Sequence, residues 1–310
     1  MDYKRYIKDP GIYKRANKYV YHKTDKLVTD QTTLDRLNGI YTPPAWRNIW
    51  FATNPKCHIQ AHGIDASGKK QYILSDAWIN NSRYEKYNRM KRFMKHIKTF
   101  KKKIKLTNFE NSREWLIKLL FNLLIDLHIR VGNEIYAETN GSYGLTTLRQ
   151  RHLIKNGENY NIVFVGKSNI QHDLSIPGKY NTYLQHFYKK GSLNKPLFFY
   201  RVNGDKKIVS SEELNEYLKN NMGSEFTCKD FRTYSANVLF IRSFLKNSNP
   251  VKNVKRFILE CIDSTAQQLG HTRSVSRKSY ISNNLLDYCT DYFESACKST
   301  PEQLESRVVS

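Results

Sequence analysis

The chain has 310 residues, of which 39% are hydrophobic and 13% aromatic, and its 51 Lys and Arg against 28 Asp and Glu give a formal net charge of +23. The apolar content excludes a disordered chain, and the length predicts about two domains. No apolar run reaches the ~18 residues that a membrane-spanning helix needs, and the charged first residues lack the apolar core of a signal peptide. We therefore expect a soluble protein that works inside a cell.

The excess of positive charge is larger than solubility requires and predicts a polyanionic partner. An anionic membrane surface is one candidate, but binding there usually uses a polybasic tail or a lipidation motif, and neither is present. Nucleic acid is the favoured partner. The five cysteines are odd in number and none forms a CxxC pair, so the sequence predicts neither a disulfide framework nor a zinc knuckle.

The first part of the chain contains short β-leaning segments at residues 48–53, 57–63 and 70–74, separated by turn-forming residues. These segments predict a small sheet-containing domain. From Arg83 to residue 106 the apolar residues fall at helical spacing and cations occupy most other positions, which predicts a long basic helix. We place the domain junction near residue 85, with an N-terminal domain at 1–85 and a C-terminal domain at 86–310.

A nearly all-apolar helix is predicted next, opened by a capping box of Asn111 and Glu114. Its polar exceptions recur every four residues and form one stripe: Lys118, Asn122, Asp126 and Arg130. An arginine at the end of a buried helix is costly unless an anion meets it. Two anions are open at this point, the carboxylate of Asp126 one turn earlier and a bound ligand.

Three antiparallel strands are predicted at residues 147–154, 159–165 and 170–176, joined by a turn at Asn156 and by a tight turn that carries Lys167 at its tip. A lysine at such a tip is usually only solvated. The remaining chain is predicted to be mainly helical, and Gly270 ends one of these helices immediately before His271. The fold class expected is therefore α+β, with a small β-rich N-terminal domain and a larger, mainly helical C-terminal one that contains a three-stranded antiparallel sheet.

Cutting and resealing DNA without a metal requires a nucleophile, donors that neutralise a dianionic phosphorane, and an acid for the departing 5′ oxygen. Tyrosine, arginine with histidine, and lysine suit these roles in turn. The chain offers such residues at separated positions: Arg130, Lys167, Arg232, His271 and Tyr280. Each has an ordinary alternative. Tyr280 is one of 21 tyrosines, Arg232 is near Asp230, and His271 follows a helix end.

The order of the surrounding segments and their amino-acid sequences distinguish between these interpretations. The densest match runs from Arg130-Val131-Gly132-Asn133-Glu134 through Gly141-Ser142-Tyr143-Gly144-Leu145-Thr146-Thr147-Leu148 to Val165-Gly166-Lys167, followed by Lys229-Asp230-Phe231-Arg232-Thr233-Tyr234, Leu269-Gly270-His271-Thr272 and Ser276-Arg277-Lys278-Ser279-Tyr280-Ile281. Residues 43–46, 58–61 and 68–72 match as well. Over roughly residues 40–285 the chain resembles the small type IB DNA topoisomerases, the poxvirus-like group with bacterial and giant-virus relatives.

This resemblance implies a tyrosine recombinase/topoisomerase IB-like fold and an ATP-independent relaxation of supercoils that uses no metal and no cofactor. Tyr280 would attack the scissile phosphate and become linked to the 3′ phosphate. Arg130, Arg232 and His271 would stabilise the pentacoordinate transition state, and Lys167 would protonate the 5′ oxygen. After rotation of the free strand, the 5′ hydroxyl would reverse the reaction. A monomer that clamps around duplex DNA is implied.

The resemblance also implies residues that contact the duplex, four in the first domain and one in the second: Lys69, Lys70, Gln71, Tyr72 and Tyr136. A solvated basic loop and a packed ring are the ordinary alternatives. Two other functions remain open. A tyrosine recombinase or integrase uses similar residues but typically has His-x-x-Arg where this chain has Lys229 three residues before Arg232. A non-enzymatic DNA-compacting protein would leave the five candidate residues unexplained.

Overall fold

The computed structural model describes residues 9–15, 18–189, 191, 193–247 and 251–308. Contacts within the chain group it into two compact units, Met1–Lys86 and Tyr87–Ser310. In the described ranges no helix combines the length and apolar character that crossing a membrane requires.

The first unit is built on a five-stranded antiparallel sheet with the strand order β2-β1-β3-β4-β5. Its strands are β1 (Ile12–Arg15), β2 (Lys18–Tyr21), β3 (Arg47–Phe51), β4 (Ile59–Ile64) and β5 (Lys70–Leu74). The last three confirm the predicted segments, whereas the four-residue strands β1 and β2 are too short to show a clear alternation in the sequence. Helix α1 (Gln31–Gly39), capped by Asp30, places Leu37 in the core beside Phe51.

The long basic helix α2 spans Asp76–Lys103 and thus begins seven residues before the predicted start at Arg83. Its first two turns contain few large apolar residues, so the sequence pattern does not mark them. In the second unit its buried positions are Met90, Phe93, Ile97 and Phe100, at the spacing that the sequence predicts. The cations lie between these positions on the remaining faces.

The apolar helix α3 (Arg113–Asp126) is capped by Ser112, whose side chain accepts from Trp115 N, so the predicted cap at Asn111 is wrong. Asn111 instead accepts a hydrogen bond from the backbone N–H of Arg201. The helix also ends four residues before Arg130, and that residue lies in the irregular segment that follows.

Asp126, at the end of α3, forms its ion pair and its side-chain hydrogen bond with residues other than Arg130. Its carboxylate lies 2.6 Å from Lys179 Nζ and accepts a 2.7 Å hydrogen bond from the Tyr180 hydroxyl. His128, two residues beyond, adopts a left-handed backbone with φ of 51°, which redirects the chain. The proposed pair of Asp126 with Arg130 is therefore wrong, and a ligand anion remains the open alternative.

The predicted three-stranded sheet is present, with strands β6 (Leu153–Asn156), β7 (Asn159–Val165) and β8 (Gln171–Ser175) in the antiparallel order β6-β7-β8. Its first strand is shorter than predicted because Leu145–Thr147 and Gln150–His152 form 3₁₀ turns. A second hairpin, β9 (Tyr200–Val202) with β10 (Asp205–Lys207), was not predicted.

Helices make up the rest of the second unit. They are α4 (Glu134–Asn140), α5 (Asn181–Leu184), α6 (Ser211–Met222), α7 (Cys228–Asn247), α8 (Val254–Leu269), α9 (Arg273–Ser279), α10 (Asn283–Asp291), α11 (Phe293–Cys297) and α12 (Pro301–Arg307). Ser210 and Glu213 form the predicted capping box of α6, and Gly270 ends α8 with a left-handed φ of 58°. The α+β prediction is confirmed.

Candidate active site

Arg130 is held by the close approach of two backbone segments. Its carbonyl oxygen accepts a 2.8 Å hydrogen bond from Leu145 N. A Cβ added at Gly144 would lie 2.5 Å from Gly132 N and 2.7 Å from Arg130 O, so only glycine permits this contact. Gly132 has a φ of +105°, which glycine adopts without strain. The half-buried side chain of Arg130 therefore extends from a fixed backbone.

Arg232, in the second turn of α7, is almost completely buried with 5% of its surface exposed. Its Nη1 donates to His128 O at 2.6 Å and its Nη2 to Leu269 O at 2.5 Å. These bonds connect the ends of α3 and α8 through one guanidinium. Within the described residues its buried Nε has no hydrogen-bond partner, so this one N–H group is still able to donate.

Asp230 does not pair with Arg232, which removes the ordinary explanation of this arginine. Its carboxylate accepts a 3.1 Å hydrogen bond from Arg89 Nε on α2. It also accepts from the backbone N–H and the hydroxyl of Thr227. Asp230 thus holds the residue that precedes α7, and the guanidinium of Arg232 receives no carboxylate from this helix turn.

His271 and Tyr280 lie next to this guanidinium. Arg232 Nη2 is 2.7 Å from His271 Nε2, and the rings of His271 and Tyr280 stack with centroids 4.4 Å apart and planes 26° apart. A guanidinium only donates, so His271 Nε2 is the acceptor and its Nδ1 carries the proton. That Nδ1–H donates to Ser276 Oγ at 3.4 Å. His271 is therefore neutral and oriented from both sides.

The electrostatic state of this cluster follows from burial. Burial lowers the pKa of Arg232 to about 10, and the charge of Arg130 acts in the same direction while Tyr280 opposes it. Burial also lowers the pKa of Arg130, against the opposing influence of Tyr280. Burial and both arginines lower the pKa of His271 to about 3. The neighbouring guanidinium groups thus lack a compensating negative charge.

Carboxylates are absent from this cluster in the described part of the chain. Neither Arg130 nor Arg232 forms an ion pair with any described Asp or Glu. The described residues also contain no group of three His, Cys, Asp or Glu side chains suited to hold a metal ion. Two half-buried to buried cations without a protein counterion form a receptor for an anion.

Lys167 is placed differently from the other four candidates. It is exposed at the tip between β7 and β8, where Ser168 and Asn169 adopt left-handed φ values of 63° and 58°. Gly166 N donates to Ile170 O at 2.8 Å and closes this turn. The charge of Lys167 contributes to the lowered pKa of His271. The structure therefore brings Arg130, Arg232, His271 and Tyr280 together and leaves Lys167 at their border.

Four of the predicted DNA-contacting residues lie at β5 of the first unit. Lys70 and Tyr72 share its exposed face, with Lys70 Nζ 5.6 Å from the centre of the Tyr72 ring. Gln71 on the opposite face donates to Asp65 Oδ2 at 2.7 Å, and Lys69 N donates to the same carboxylate. Lys70 and Tyr72 are thus exposed to solvent on this face, whereas the amide of Gln71 is hydrogen-bonded inside the loop.

Tyr136 belongs to the second unit and lies on the first turn of α4, where 56% of its surface is exposed. Asn133 caps this short helix by accepting from Tyr136 N. The ordinary alternative for Tyr136, a packed ring, is wrong because a packed ring would be covered. The exposed ring of Tyr136 is accessible to a ligand.

Two residues near the site have no counterpart in the sequence interpretation. Asn237 on α7 donates to Tyr280 O at 3.1 Å and accepts from Ser282 N at 2.9 Å, so it holds the backbone on both sides of Ile281. His172 on β8 packs beside the turn of Lys167. The only sequence signal for His172 was its place at the start of the strand after that turn, which does not distinguish it from other strand residues.

Comparisons with known proteins agree with this geometry. Residues 75–304 match the family model described as eukaryotic DNA topoisomerase I, catalytic core, and residues 18–65 match that of the bacterial DNA topoisomerase IB N-terminal domain. The chain therefore belongs to the type IB DNA topoisomerases, which are isomerases.

Relatives of known name fall in the same family. The chain is 35% identical to the DNA topoisomerase 1B of Acanthamoeba polyphaga mimivirus over 293 residues, which is 89% of this chain and 87% of that protein. It is 26% identical to the DNA topoisomerase I of Monkeypox virus over 266 residues, 80% of this chain and 78% of that protein. A solved XerH site-specific recombinase bound to a palindromic difH substrate aligns with 74% of this chain and 59% of its own at 13% identity, and its TM-score of 0.37 is too low to assign the fold.

Proposed function

We propose that this enzyme relaxes supercoiled duplex DNA through a covalent 3′-phosphotyrosyl intermediate on Tyr280. The phenol oxygen of Tyr280 forms a bond to the scissile phosphorus, the bond from phosphorus to the 5′ oxygen breaks, and the phenolic proton is released. The energy of the phosphodiester is kept in the new ester, so religation by the 5′ hydroxyl needs no ATP. Rotation of the free strand between these two steps removes supercoils of either sign.

The observation that carries this proposal is the cluster of Arg130, Arg232 and His271 around Tyr280 without a carboxylate partner. Two uncompensated guanidinium groups would repel each other and are costly to bury. A phosphodiester removes this cost because its nonbridging oxygens accept the paired donors of arginine. As the phosphorane forms, its negative charge increases, so the same donors stabilise the transition state more than the ground state.

Arg232 and His271 would adjust when the phosphate arrives. The buried Nε of Arg232 is an unused donor. An oxygen of the phosphate near Nη2 would also compete with His271 Nε2, which now accepts from that nitrogen at 2.7 Å. The added negative charge favours the protonated imidazole, so His271 can change from an acceptor for Arg232 to a donor for the phosphate.

Lys167 would act as general acid towards the 5′ oxygen. It lies at the tip of a turn and is exposed, so the DNA backbone can reach it without displacing a protein partner. Its ammonium group carries the proton that a general acid must supply to that oxygen. We expect binding of DNA to order this turn.

The remaining contacts supply affinity rather than chemistry. Lys69, Lys70, Gln71, Tyr72 and Tyr136 are proposed to contact the duplex. We propose that one copy of the chain closes its two units around the duplex as a clamp, with phosphate contacts that weaken as salt rises. We also propose the host cytoplasm and the virion as its places of action, as the viral origin of both named relatives suggests.

The test is relaxation of a supercoiled plasmid without ATP and in the presence of a chelator. We expect full relaxation by the unaltered chain, none by Tyr280→Phe, and equal duplex binding by both. Tyr292→Phe is the control, because Tyr292 is another tyrosine of the second unit that lies outside the cluster, where 63% of its surface is exposed. Binding without relaxation would favour the compaction function, strand exchange between two duplexes would favour a recombinase, and a requirement for metal would reject the mechanism.

A further inference from the structure

His172 lies between the two loops that carry Lys167 and His271. It is the cross-strand partner of Phe164, and the two rings stack with centroids 4.8 Å apart and planes 13° apart. Strand β8 begins directly after the turn of Lys167, so this stacking fixes His172 to both strands that support the turn.

The imidazole of His172 touches the backbone at two glycines. A Cβ at Gly166, immediately before Lys167, would lie 2.8 Å from His172 Nε2. A Cβ at Gly270, immediately before His271, would lie 2.5 Å from His172 Cε1. Since real side chains do not approach this closely, the ring fills the space that both glycines leave open. One flat ring thus separates the two loops at a defined spacing.

The charge state of His172 suits this position. Burial, together with the charges of Arg130 and Arg232, lowers its pKa to about 4. The ring is neutral at neutral pH and adds no third positive charge beside the two arginines. A lysine or arginine could fill the same space only by increasing the repulsion within the cluster.

We infer that His172 is a positioning residue that holds the turn of Lys167 at the correct distance from His271 and the arginine pair. This inference rests on the proposed function. His172 does not touch the reacting atoms in this role. Without its ring, the turn between β7 and β8 would keep its own hydrogen bonds but lose the packing contact that fixes its distance from the cluster. Protonation of the leaving oxygen would then become inefficient.

The experiment compares single-turnover cleavage of two duplexes that share one mapped cleavage site. One has an ordinary 5′ oxygen and the other a bridging sulfur, which leaves without needing a proton from Lys167. We expect His172→Ala to slow cleavage of the oxygen substrate by about 100-fold and of the sulfur substrate by less than about 5-fold, the same pattern as Lys167→Ala. No slowing, or equal slowing on both substrates, overturns the inference.

Two further variants keep the test decisive. Gly166 has an ordinary backbone conformation, with φ of −102° and ψ of −165°, so the clash that Gly166→Ala adds is with the ring of His172. We expect it to slow the oxygen substrate in the unaltered background and to add no loss in the His172→Ala background. An equal loss in both backgrounds overturns the inference, and Gly166→Ala alone carries the substrate comparison if His172→Ala does not fold.

The matched control is His186→Ala. His186 also stacks on a phenylalanine, Phe109, with centroids 3.9 Å apart, but it is exposed and contacts none of the candidate residues. We expect it to cleave both substrates at the unaltered rate, and a loss as large as that of His172→Ala would overturn the inference. If the unaltered chain cleaves neither substrate, the proposed function itself is wrong, which separates the two failures.

Discussion

The arginine cluster and the turn of Lys167 serve one proposed reaction but are built in opposite ways. Arg232 is buried, and its donors are spread over His128 O, Leu269 O and His271 Nε2. Lys167 is exposed on a turn with two consecutive left-handed residues. The cluster is organised before any ligand arrives, whereas the position of the lysine depends on the few contacts at the base of its turn.

This difference teaches how the two regions share the reaction. Charge stabilisation requires donors that are already oriented, because reorganising them during the reaction would consume the benefit. A proton donor for a leaving strand must also release that strand, which an exposed turn permits. Substitutions in the cluster should therefore affect both folding and catalysis, while those in the turn should affect catalysis alone.

The largest effect is expected for Arg232→Ala. Cleavage should fall by about 10⁴-fold because two donors to the phosphorane are lost. The free energy of unfolding should also fall, by about 1–3 kcal/mol for each buried carbonyl left unpaired. Single-turnover cleavage and thermal denaturation measure the two losses. Arg232→Lys should recover little of either, because a lysine cannot reproduce the fork. A fully active Arg232→Lys enzyme would show that the reaction does not need the paired donors of a guanidinium at this position.

A smaller loss is expected for Lys167→Ala, and without a change in stability. Cleavage should slow by about 10² to 10³-fold, the usual contribution of a general acid. The Tm should remain that of the unaltered chain because the side chain is exposed. Measuring cleavage of the sulfur-bridged duplex checks the role, since that substrate should react nearly normally. If the Tm fell as far as in Arg232→Ala, the contrast between the two regions would be wrong.

Acidification should lower the free energy of unfolding, because several buried histidines are neutral in the folded chain. Five described histidines have a pKa well below the usual value, chiefly because they are buried. The pKa is about 3 for His271 and about 4 for the other four, which are His62, His128, His152 and His172. In the unfolded chain they take up protons below about pH 6.5. Between that pH and about 4 the unfolded state therefore binds more protons, so stability falls as the pH falls.

Calorimetry should accordingly show a Tm lower at pH 5 than at pH 7.5, by on the order of 5 °C. His128→Asn is the matched variant, because asparagine tolerates the φ of 51° at this position. It should reduce the fall. A Tm that rises on acidification would contradict the assignment of neutral buried histidines.

The smallest effect is expected in the first unit, where Lys70→Ala should weaken duplex binding a few-fold. One lost phosphate contact should reduce the slope of log affinity against log salt by about 0.9. Titration of a labelled duplex at several salt concentrations measures this slope. Lys56→Ala is the control, because Lys56 is exposed in a turn of the same unit and is not among the predicted contacts. Equal slopes for both variants would remove Lys70 from the interface.

Local features of the fold were predictable because neighbouring residues determine them. The helical spacing of Met90, Phe93 and Ile97, the capping box at Ser210, and the strands on either side of Lys167 all follow from short-range patterns. One error has a non-local cause. Ser112 rather than Asn111 caps α3, since either residue could open that helix and the choice depended on the distant Arg201 that engages Asn111.

The sequence by itself determined the residue types of the site, the α+β class and the resemblance to the topoisomerase family. Only the tertiary structure decided which of those residues meet. It engaged Asp126 with Lys179 and left the guanidinium of Arg232 without a carboxylate. It also placed the ring of His172 against two glycines. The reason is physical, since such partners are separated by long stretches of chain and are joined by packing, which no local periodicity records.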